Sequence, residues 1–430
     1  CVFSPIPNLG LIVVDEEHEH SYKQQDDMPC YNARDVAIVR AKLCNATVIL
    51  GSATPSIESF YNTESNKYVL NTLFERNANA ELPLVHIVDM KREYEKAQGM
   101  CLFSELLLNK LDDRKKRGEK SILFLNRRGY HTVLQCSQCQ KAVECPHCDT
   151  SLTFHLSQNE VNCHLCGFST HPKIACSSCK SNELIQFKGF GTEKVETMLQ
   201  KVFPNIRCVR IDADTTKHKG KLEKLIHDFR SGKADVLIGT QMVAKGLHFP
   251  DVTLVCVLNT DAGLHIPDFR AQETVFQLIT QVSGRAGRSE LKGEVIIQTA
   301  QSENETIHFA SKQDFISYYQ SEKEIRKLFQ FPPFCHIVKF LFTSKNENAL
   351  LDFSQSFFQE MQKNLPSQYI CHPVVPSGHY KVKDCFRVQF LIRGASVLKI
   401  IDVMHSIDTR FALPSSIKRF VDVDPLSTFF

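Results

Sequence analysis

The amino-acid sequence predicts an α/β protein with parallel sheets, followed by a smaller α+β domain. Short β-branched and apolar runs, typical of strands in such sheets, recur through the first two thirds of the chain. They are residues 11–14, 47–50, 121–125, 208–211, 236–238, 253–258 and 295–297. Helical stretches lie between most of these runs, at residues 31–43, 219–230 and 270–282. This alternation favours parallel strands buried under helices on both faces of a sheet.

The pattern of predicted strands and helices changes after about residue 310. A helical stretch at residues 314–329 leads into Phe331-Pro332-Pro333-Phe334, and strand and helix patterns then run to the end of the chain. This pattern predicts a separate small α+β domain. A polar segment at residues 62–80 is expected to connect two α/β units farther upstream.

Composition describes an ordinary globular protein, with 430 residues, 43% apolar and 23% charged. The net charge of +3 is too small to indicate nucleic-acid binding, so any DNA contact must come from local basic surface. No apolar run reaches the roughly 18 residues of a membrane span, and no signal peptide is visible. The chain starts at Cys1, close to a predicted strand, so we expect its natural beginning to be missing.

Eight of the 17 cysteines form four Cys-x-x-Cys pairs. The pairs are Cys136/Cys139, Cys145/Cys148, Cys163/Cys166 and Cys176/Cys179. Because each pair supplies two thiolates and zinc takes four in a tetrahedron, the pairs predict two zinc sites, grouped sequentially, interleaved or nested. Four thiolates leave no open position for a substrate, so both sites are expected to be structural, with His147, His164 and His171 as bystanders. The other cysteines suit a reducing cytoplasm.

An acidic motif follows the first predicted strand, as Asp15-Glu16-Glu17-His18. Carboxylates at the carboxyl end of a parallel strand lie where open α/β sheets bind ligands. The chemistry that suits them is NTP hydrolysis, in which Asp15 holds a hydrated Mg²⁺ and Glu16 orients and deprotonates the attacking water. The alternative is a strand followed by a solvated acidic turn.

Two more segments favour nucleotide hydrolysis. Residues 51–56 (Gly-Ser-Ala-Thr-Pro-Ser) follow the second predicted strand, and residues 281–288 place Arg285 and Arg288 three positions apart. If the second segment is helical, the two guanidinium groups share one face. Arginines aimed at a transferring phosphoryl group neutralise charge in the transition state.

These three segments resemble motifs II, III and VI of superfamily 2 helicases, and residues 239–246 resemble their motif V. The cysteine-rich insert, flanked by residues 124–130 and 189–193, is similar to that of one family. This family is bacterial primosomal protein N′, the replication-restart helicase PriA. The resemblance runs from about residue 5 to the C-terminus, where Asp422-Val423-Asp424-Pro425 also matches.

The resemblance implies two RecA-like lobes that close on ATP with Mg²⁺ while the protein tracks 3′ to 5′ along one DNA strand in the bacterial cytoplasm. It implies catalytic roles for Asp15, Glu16, Arg285 and Arg288, and nucleotide contacts from these four with His18, Gly246 and Gln281. The implied partners are branched and single-stranded DNA, primosome proteins, the replicative helicase with its loader, and single-strand-binding protein. No membrane partner is expected.

The resemblance also implies that the zinc sites are nested. Cys136, Cys139, Cys176 and Cys179 would form the outer site, and Cys145, Cys148, Cys163 and Cys166 the inner site. It makes the segment after the acidic motif a DNA-coupling loop, with roles for Tyr22, Lys23, Gln24, Tyr31 and Arg34. Tyrosine rings beside cations suit the stacking of single-stranded bases, and an ordinary polar surface loop is the alternative.

The predicted domains are residues 1–75 (the C-terminal part of lobe 1), 76–133 and 183–312 (lobe 2), 134–182 (the zinc insert) and 313–430 (the C-terminal domain). Lobe 1 is expected to be incomplete, because the chain contains no GxxxxGK[ST] phosphate-binding loop. We therefore expect these 430 residues to hydrolyse ATP weakly or not at all by themselves. The alternatives are a non-catalytic remnant that binds zinc, DNA or partners, and a double-strand DNA translocase.

Several charged residues leave two interpretations open. Residues 114–117 favour a solvated helix end over a phosphate contact. Residues 268–270 suit either coupling to the nucleotide cleft or ion pairing between lobes. The basic residues Lys381, Lys383, Arg387 and Arg393 suit either DNA phosphates or ordinary protein surface.

Overall fold

The computed structural model describes residues 2–25, 28–73, 82–125, 133–136, 143–148, 150, 152–155, 160–163, 166–171, 179, 181, 185–188, 191–212, 215–216, 220–240, 249, 251–286 and 292–428, with only the backbone described at 133–136, 153–155 and 185–188. The strands are β1 (Leu11–Val14), β2 (Thr47–Leu50), β3 (Leu84–Asp89), β4 (Lys120–Leu125), β5 (Val133–Cys136), β6 (Thr153–His155), β7 (Glu160–Asn162), β8 (Ser169–Thr170), β9 (Ile185–Lys188), β10 (Cys208–Ile211), β11 (Val236–Gly239), β12 (Val252–Leu258), β13 (Glu294–Thr299), β14 (His336–Ser344), β15 (Ile370–Cys371), β16 (Val375–Val382), β17 (Cys385–Gly394) and β18 (Lys418–Val423). The helices are α1 (Ala33–Cys44), α2 (Ile57–Glu64), α3 (Met90–Lys96), α4 (Glu105–Lys116), α5 (Thr192–Val202), α6 (Lys221–Arg230), α7 (Asp261–Leu264), α8 (Ala271–Ser283), α9 (Glu305–Ser311), α10 (Phe315–Leu328), α11 (Glu347–Asn364) and α12 (Val397–Asp408).

The first lobe consists of β1 and β2, which pair in parallel, with α1 between them in the chain. Asn32 caps α1 by accepting a hydrogen bond from the Arg34 N–H, and the helix spans nearly the predicted residues. The prediction that these two strands are buried is wrong for this structure, because Leu11 and Val13 are 53% and 61% exposed. In the described part of the chain β1 and β2 pair only with each other, so much of their surface stays open.

The second lobe has a six-stranded parallel sheet in the order β10-β11-β4-β12-β13-β3. Alternate side chains of β4 point to opposite faces, so Ile122 and Phe124 join one apolar core and Leu123 and Leu125 another. Helices α4 and α5 cover the second core, and α6, α8, α9 and α10 cover the first. The predicted parallel sheet with helices on both faces is therefore confirmed.

Helix α2 packs with the second lobe, although its sequence follows the last strand of the first. Ile57 is fully buried in the core that contains Phe276, and the Phe60 ring lies 4.6 Å from the Tyr319 ring, edge to face. Ser56 caps the helix by accepting a hydrogen bond from the Ser59 N–H. The segment after β2 therefore fastens one lobe to the other.

The cysteine-rich insert lies between β4 and α5 and carries its own antiparallel sheet, in the order β8-β7-β6-β5-β9. Its first and last strands, β5 and β9, pair with each other from Val133↔Lys188 to Cys136↔Ile185. The insert therefore enters and leaves the lobe by neighbouring strands.

The C-terminal domain is an antiparallel sheet in the order β15-β17-β14-β18, with β16 also paired to β17. Helices α11 and α12 contribute Phe353, Phe357 and Met404 to a core that also holds Phe340 and Phe390 of the sheet. The predicted α+β domain is therefore confirmed. Among the described residues no helix is both long and apolar enough to cross a bilayer.

Candidate nucleotide cleft and zinc centre

The acidic motif turns sharply at the carboxyl end of β1. Glu16 has a left-handed backbone (φ 48°), and its N–H donates to Asp15 Oδ1 at 3.0 Å. Gly51 at the end of β2 donates its N–H to the Val14 carbonyl and accepts from the Glu17 N–H, at 2.8 and 3.0 Å. The turn leaves Asp15 and Glu16 open to solvent, where a ligand can reach them, and buries the two residues that follow.

Glu17 is a buried acceptor rather than a ligand group. Its carboxylate accepts hydrogen bonds from the Ser56 N–H at 2.6 Å, the Ser59 hydroxyl at 2.8 Å and Arg34 Nη1 at 2.8 Å. Burial opposes the charge of Arg34, but Asp35 and Glu17 outweigh it and raise the pKa of the guanidinium. Glu17 thus ties the acidic motif to the start of α2 and to α1.

His18 joins three of the predicted motifs. Its Nδ1 lies 2.7 Å from Ser52 Oγ and its Nε2 lies 2.8 Å from Gln281 Nε2. Because an amide N–H can only donate, His18 Nε2 accepts from Gln281. The ring hydrogen is then on Nδ1, which donates a hydrogen bond to Ser52 Oγ. The structure therefore brings His18 and Gln281, both of which the family resemblance makes nucleotide contacts, together across the two lobes.

The arginine motif begins where α8 ends. The helix stops at Ser283, and Arg285 follows in a turn with its N–H donating to the Val282 carbonyl, so it does not continue a helical face. Arg285 is largely buried. Two other predicted nucleotide contacts, Gly246 and Arg288, lie outside the described residues.

The open carboxylates suit a hydrated Mg²⁺, which binds through one or two carboxylates and keeps several waters. Asp15 and Glu16 offer oxygen ligands at an exposed edge rather than a closed cage. In the turn after β2, whose Gly51 bonds to the acidic motif, Thr54 Oγ1 is buried and has no hydrogen-bond partner within the described part of the chain. The carboxylate oxygens of Asp15 and Glu16, together with this hydroxyl, fit a metal–nucleotide ligand at the edge of the first lobe.

The predicted DNA-coupling loop folds back on the acidic motif. The Tyr22 hydroxyl donates to the Asp15 carbonyl at 2.7 Å, and the Gln24 N–H donates to the Tyr31 carbonyl at 2.8 Å. Burial and then Asp15 raise the pKa of Tyr22. The Tyr31 ring lies 5.2 Å from the Phe3 ring, edge to face.

The same loop is fastened to the C-terminal domain. Lys23 Nζ lies 2.7 Å from Asp422 Oδ1 and donates to the Val423 carbonyl at 2.6 Å, and both charged side chains are nearly buried. Cys30 also forms a parallel bridge with Asp422. Arg34, another residue of the predicted loop, is tied to the acidic motif by its contact with Glu17.

Four cysteines of the insert converge on one point. The sulfur atoms of Cys145, Cys148, Cys163 and Cys166 lie within 4.8 Å of one another. This joins the second and third Cys-x-x-Cys pairs, as the nested arrangement requires. Four thiol ligands at this spacing fit a closed tetrahedral zinc site.

Two tight turns present these thiols. The Cys145 N–H donates to the Thr150 carbonyl and the Cys163 N–H to the Phe168 carbonyl, at 2.9 and 2.7 Å. Burial raises the pKa of Cys145 to about 12 and of Cys148 to about 11. Burial opposes ionisation of Cys166 as well, but the Phe168 N–H and the neighbouring thiols lower its pKa.

The predicted outer site is only partly visible. Cys136 ends β5, where only the backbone is described, and Cys179 is exposed. Cys139 and Cys176 lie outside the described residues. Two of the predicted bystander histidines are described, and His147 Nδ1 lies 2.8 Å from Asp384 Oδ2 of the C-terminal domain.

A buried charge network that the sequence did not reveal joins α2, α8 and α10. Arg326 is 1% exposed and contacts Glu273 at 2.6 Å, Glu322 at 2.8 Å and Glu58 at 3.3 Å. Arg270 lies 2.6 Å from Glu58. Of the two interpretations of residues 268–270, ion pairing is therefore observed. Burial opposes ionisation of Glu58, but Arg270 and Arg326 lower its pKa to about 2.

Several other charged residues singled out in the sequence form contacts within the protein. Arg114 is buried and pairs with Glu294 at 2.9 Å, so the predicted solvated helix end is wrong for this residue. Lys381 lies 3.3 Å from Asp384, and Arg393 donates to the Phe329 carbonyl at 2.9 Å. Burial lowers the pKa of Arg387.

Three known families match parts of the chain. The helicase conserved C-terminal domain matches residues 174–290, the PriA DNA helicase Cys-rich region domain matches residues 145–170, and the primosomal protein N C-terminal domain matches residues 327–426. The second match contains all four converging cysteines.

Curated relatives align along most or all of the chain. The replication restart protein PriA of Chlamydia pneumoniae is 48% identical over 433 residues, covering 100% of this chain and 58% of the relative. The protein of the same name from Bacillus subtilis is 46% identical over 337 residues, covering 78% of this chain and 42% of the relative. The chain thus spans less than two thirds of each relative. Among solved structures, S. cerevisiae Dbp5 bound to RNA and ADP BeF3 covers 74% of this chain and 63% of its own at 14% identity, and its TM-score of 0.36 does not establish a common fold.

Proposed function

Since the chain belongs to the PriA family of replication restart proteins, we propose that it forms the motor and zinc-binding part of an ATP-dependent 3′–5′ DNA helicase. The helicase would act at stalled or branched forks in the bacterial cytoplasm and assemble a primosome there. Its proposed partners are branched and single-stranded DNA, primosome proteins, the replicative helicase with its loader, and single-strand-binding protein.

The observation that carries this proposal is the contact of His18 with both Ser52 and Gln281. It joins the acidic motif and the end of β2 to α8 of the second lobe, so movement between the lobes changes the surroundings of Asp15 and Glu16. A motor that converts hydrolysis into movement needs such a link between its lobes.

The solvent-exposed carboxylates of Asp15 and Glu16 support the roles in ATP hydrolysis that we propose for them. Bound ATP with Mg²⁺ would supply the phosphoanhydride bond that is broken. Asp15 would hold the hydrated cation, and Glu16 would orient the water that attacks the γ-phosphorus and accept its proton, while ADP leaves with the electron pair of the broken phosphoanhydride bond. Arg285 and Arg288 neutralise the charge that develops on the phosphoryl group.

We propose that the insert holds two structural zinc ions. The converging thiols of Cys145, Cys148, Cys163 and Cys166 support the inner ion. The antiparallel pairing of β5 with β9 supports the outer ion, because it brings the two ends of the insert side by side. Metal analysis of the purified chain tests the number.

The decisive experiment compares this chain with a protein extended upstream to the length of the curated relatives. We expect the extended protein to unwind fork substrates in an ATP-dependent reaction, and Glu16→Gln to abolish unwinding while DNA binding remains. The 430-residue chain should show little or no DNA-stimulated ATPase. An extended protein that binds forks but never hydrolyses ATP would favour the second candidate, a non-catalytic zinc- and DNA-binding module, which the lack of a GxxxxGK[ST] sequence in this chain supports.

A further inference from the structure

The turn between β16 and β17 meets the inner zinc site from another domain. The Lys383 N–H donates to Cys148 Sγ at 3.3 Å, and the Asp384 N–H donates to the His147 carbonyl at 3.0 Å. Asp384 Oδ2 lies 2.8 Å from His147 Nδ1. Val382, which precedes the turn, packs against the apolar core of the insert.

The backbone of this turn suits the contact. Val382 pairs with Cys385, so only two residues connect the strands, and both have left-handed backbones, with φ of 50° at Lys383 and 59° at Asp384. Two-residue turns of this kind favour asparagine or glycine, and lysine is a costly choice there. A strained pair of residues persists where surrounding contacts hold it, and these contacts come from the insert.

The bond to Cys148 differs from the other N–H···S bonds described at this site. The His147 N–H donates to Cys145 Sγ and the Phe168 N–H donates to Cys166 Sγ, both at 3.4 Å. Each of those donors lies within two residues of its sulfur, whereas Lys383 lies 235 residues from Cys148. At Cys148, therefore, the hydrogen-bond donor comes from the C-terminal domain, whereas at Cys145 and Cys166 it comes from the insert itself.

We propose that the Lys383–Asp384 turn is a positioning element for the inner zinc site, which fixes the Cys145–Cys148 turn and stabilises the Cys148 thiolate. A donated hydrogen bond favours the ionised sulfur that zinc requires, and outer partners of metal ligands change metal affinity by about 10- to 100-fold. By reciprocity, bound zinc stabilises the turn and holds the insert against the C-terminal domain. The role rests on the inner zinc ion proposed above and is independent of helicase activity.

The test measures zinc release from the 430-residue chain. Zinc transfer to a chromogenic chelator is followed with time, and Co²⁺ in place of zinc reports the thiolate ligands by its charge-transfer band. Insertion of two glycines between Val382 and Lys383 displaces both N–H donors from the insert, and we expect release from one site to become about tenfold faster. Zinc release from the outer site, the second kinetic phase, should not change.

Two variants separate the turn from general damage. The double substitution K383N/D384G keeps a two-residue turn with both N–H groups, and zinc release should stay within about twofold of the parent. The same two-glycine insertion between Ser415 and Ser416, in an exposed loop of the C-terminal domain, should leave release unchanged. Parental release rates from the insertion at Lys383 would overturn the proposal.

Hydrogen exchange on the unaltered chain gives an independent answer if the insertion variant does not fold. The amides of Lys383 and Asp384 should exchange slowly with zinc bound, although they lie at the tip of a hairpin. Removal of zinc should speed them selectively, while exchange at Phe340 in the core of the C-terminal domain stays slow. Fast exchange at both tip amides in the zinc-loaded protein would also contradict the proposal.

Discussion

His18 Nε2 and Gln281 Nε2 lie 2.8 Å apart, although 263 residues separate them in the chain. The histidine belongs to the acidic motif after β1, and the glutamine belongs to the last turn of α8 in the second lobe. The other ring nitrogen of His18 is held by Ser52. This one side chain therefore connects the turn after β2 to α8 of the second lobe.

The first prediction concerns Gln281→Met in the extended protein. Methionine keeps the length of the side chain but cannot donate to His18, so DNA-stimulated ATPase should fall about tenfold, which corresponds to about 1.4 kcal/mol in the barrier. The melting temperature should change little. Gln277→Met on the same helix is the matched control, because Gln277 bonds to Glu273 and not to His18. Equal ATPase rates for Gln281→Met and the parent would refute the link.

The second prediction concerns Arg326, which three carboxylates surround. Arg326→Met leaves Glu273 and Glu322 buried without their partner, so the free energy of unfolding should fall by about 3–5 kcal/mol. Urea titrations followed by circular dichroism measure it. Arg92→Met is the control, since Arg92 is 82% exposed and lies 3.7 Å from Asp89. There the change should stay below about 0.5 kcal/mol, and a similarly small loss for Arg326→Met would contradict this account.

The third prediction follows from the pKa of Glu58, which two arginines lower to about 2. A carboxyl whose pKa is lower in the folded state contributes stability above its unfolded pKa of about 4.5, and loses it as the pH falls toward 2. The parent should therefore lose stability between pH 5 and 3 more steeply than Glu58→Gln. Urea midpoints at pH 5, 4 and 3 give the two slopes, and parallel slopes would count against the assignment.

Local patterns predicted most of the secondary structure but little of its assembly. The runs that became β4, β11 and β12 were evident because these strands are buried on both faces and carry few polar residues. Strand β3 was missed because it lies at the sheet edge, where His86 and Asp89 interrupt its apolar pattern. The Cys-x-x-Cys spacing predicted four-thiolate zinc sites, since the two ligands of each turn are local in sequence, whereas only the family resemblance implied which pairs share the inner site.

Contacts between distant polar residues were not predictable from one sequence. Nothing near Glu58 or Arg326 marks them as partners, and the packing of α2 on the second lobe depends on Ile57 and Phe60, which suit a helix in either lobe. Likewise the roles of Glu17 and Asp384 depend on side chains that only the folded chain brings together. The acidic motif itself, by contrast, was marked by the strand that precedes it.

The fourth prediction concerns zinc and the inner cysteines. Cys163→Ser removes one of four ligands, so we expect the zinc content to fall from two ions per chain to one and the insert to become sensitive to protease. Cys44→Ser, an exposed cysteine on α1, should change neither. Because burial raises the pKa of Cys145 to about 12, zinc uptake must release protons and weaken as the pH falls. Full zinc content in Cys163→Ser would exclude this site.

The last prediction concerns Lys23 and Asp422, which fasten the loop after the acidic motif to the C-terminal domain. Lys23→Met leaves the Asp422 carboxylate buried, with Lys339 as its remaining cation. The free energy of unfolding should therefore fall by about 1–3 kcal/mol, less than the cost of leaving an isolated buried charge. Hydrogen exchange of the Gln24 amide, which donates to the Tyr31 carbonyl, should become faster. The double variant Lys23→Met with Asp422→Met should recover part of the protection, because the buried Asp422 charge is then gone and Lys339 keeps Asp268 as an acidic neighbour. If Gln24 exchanges at the parental rate in the single variant, the C-terminal domain does not hold the loop, and Tyr22 on the Asp15 carbonyl is its main attachment.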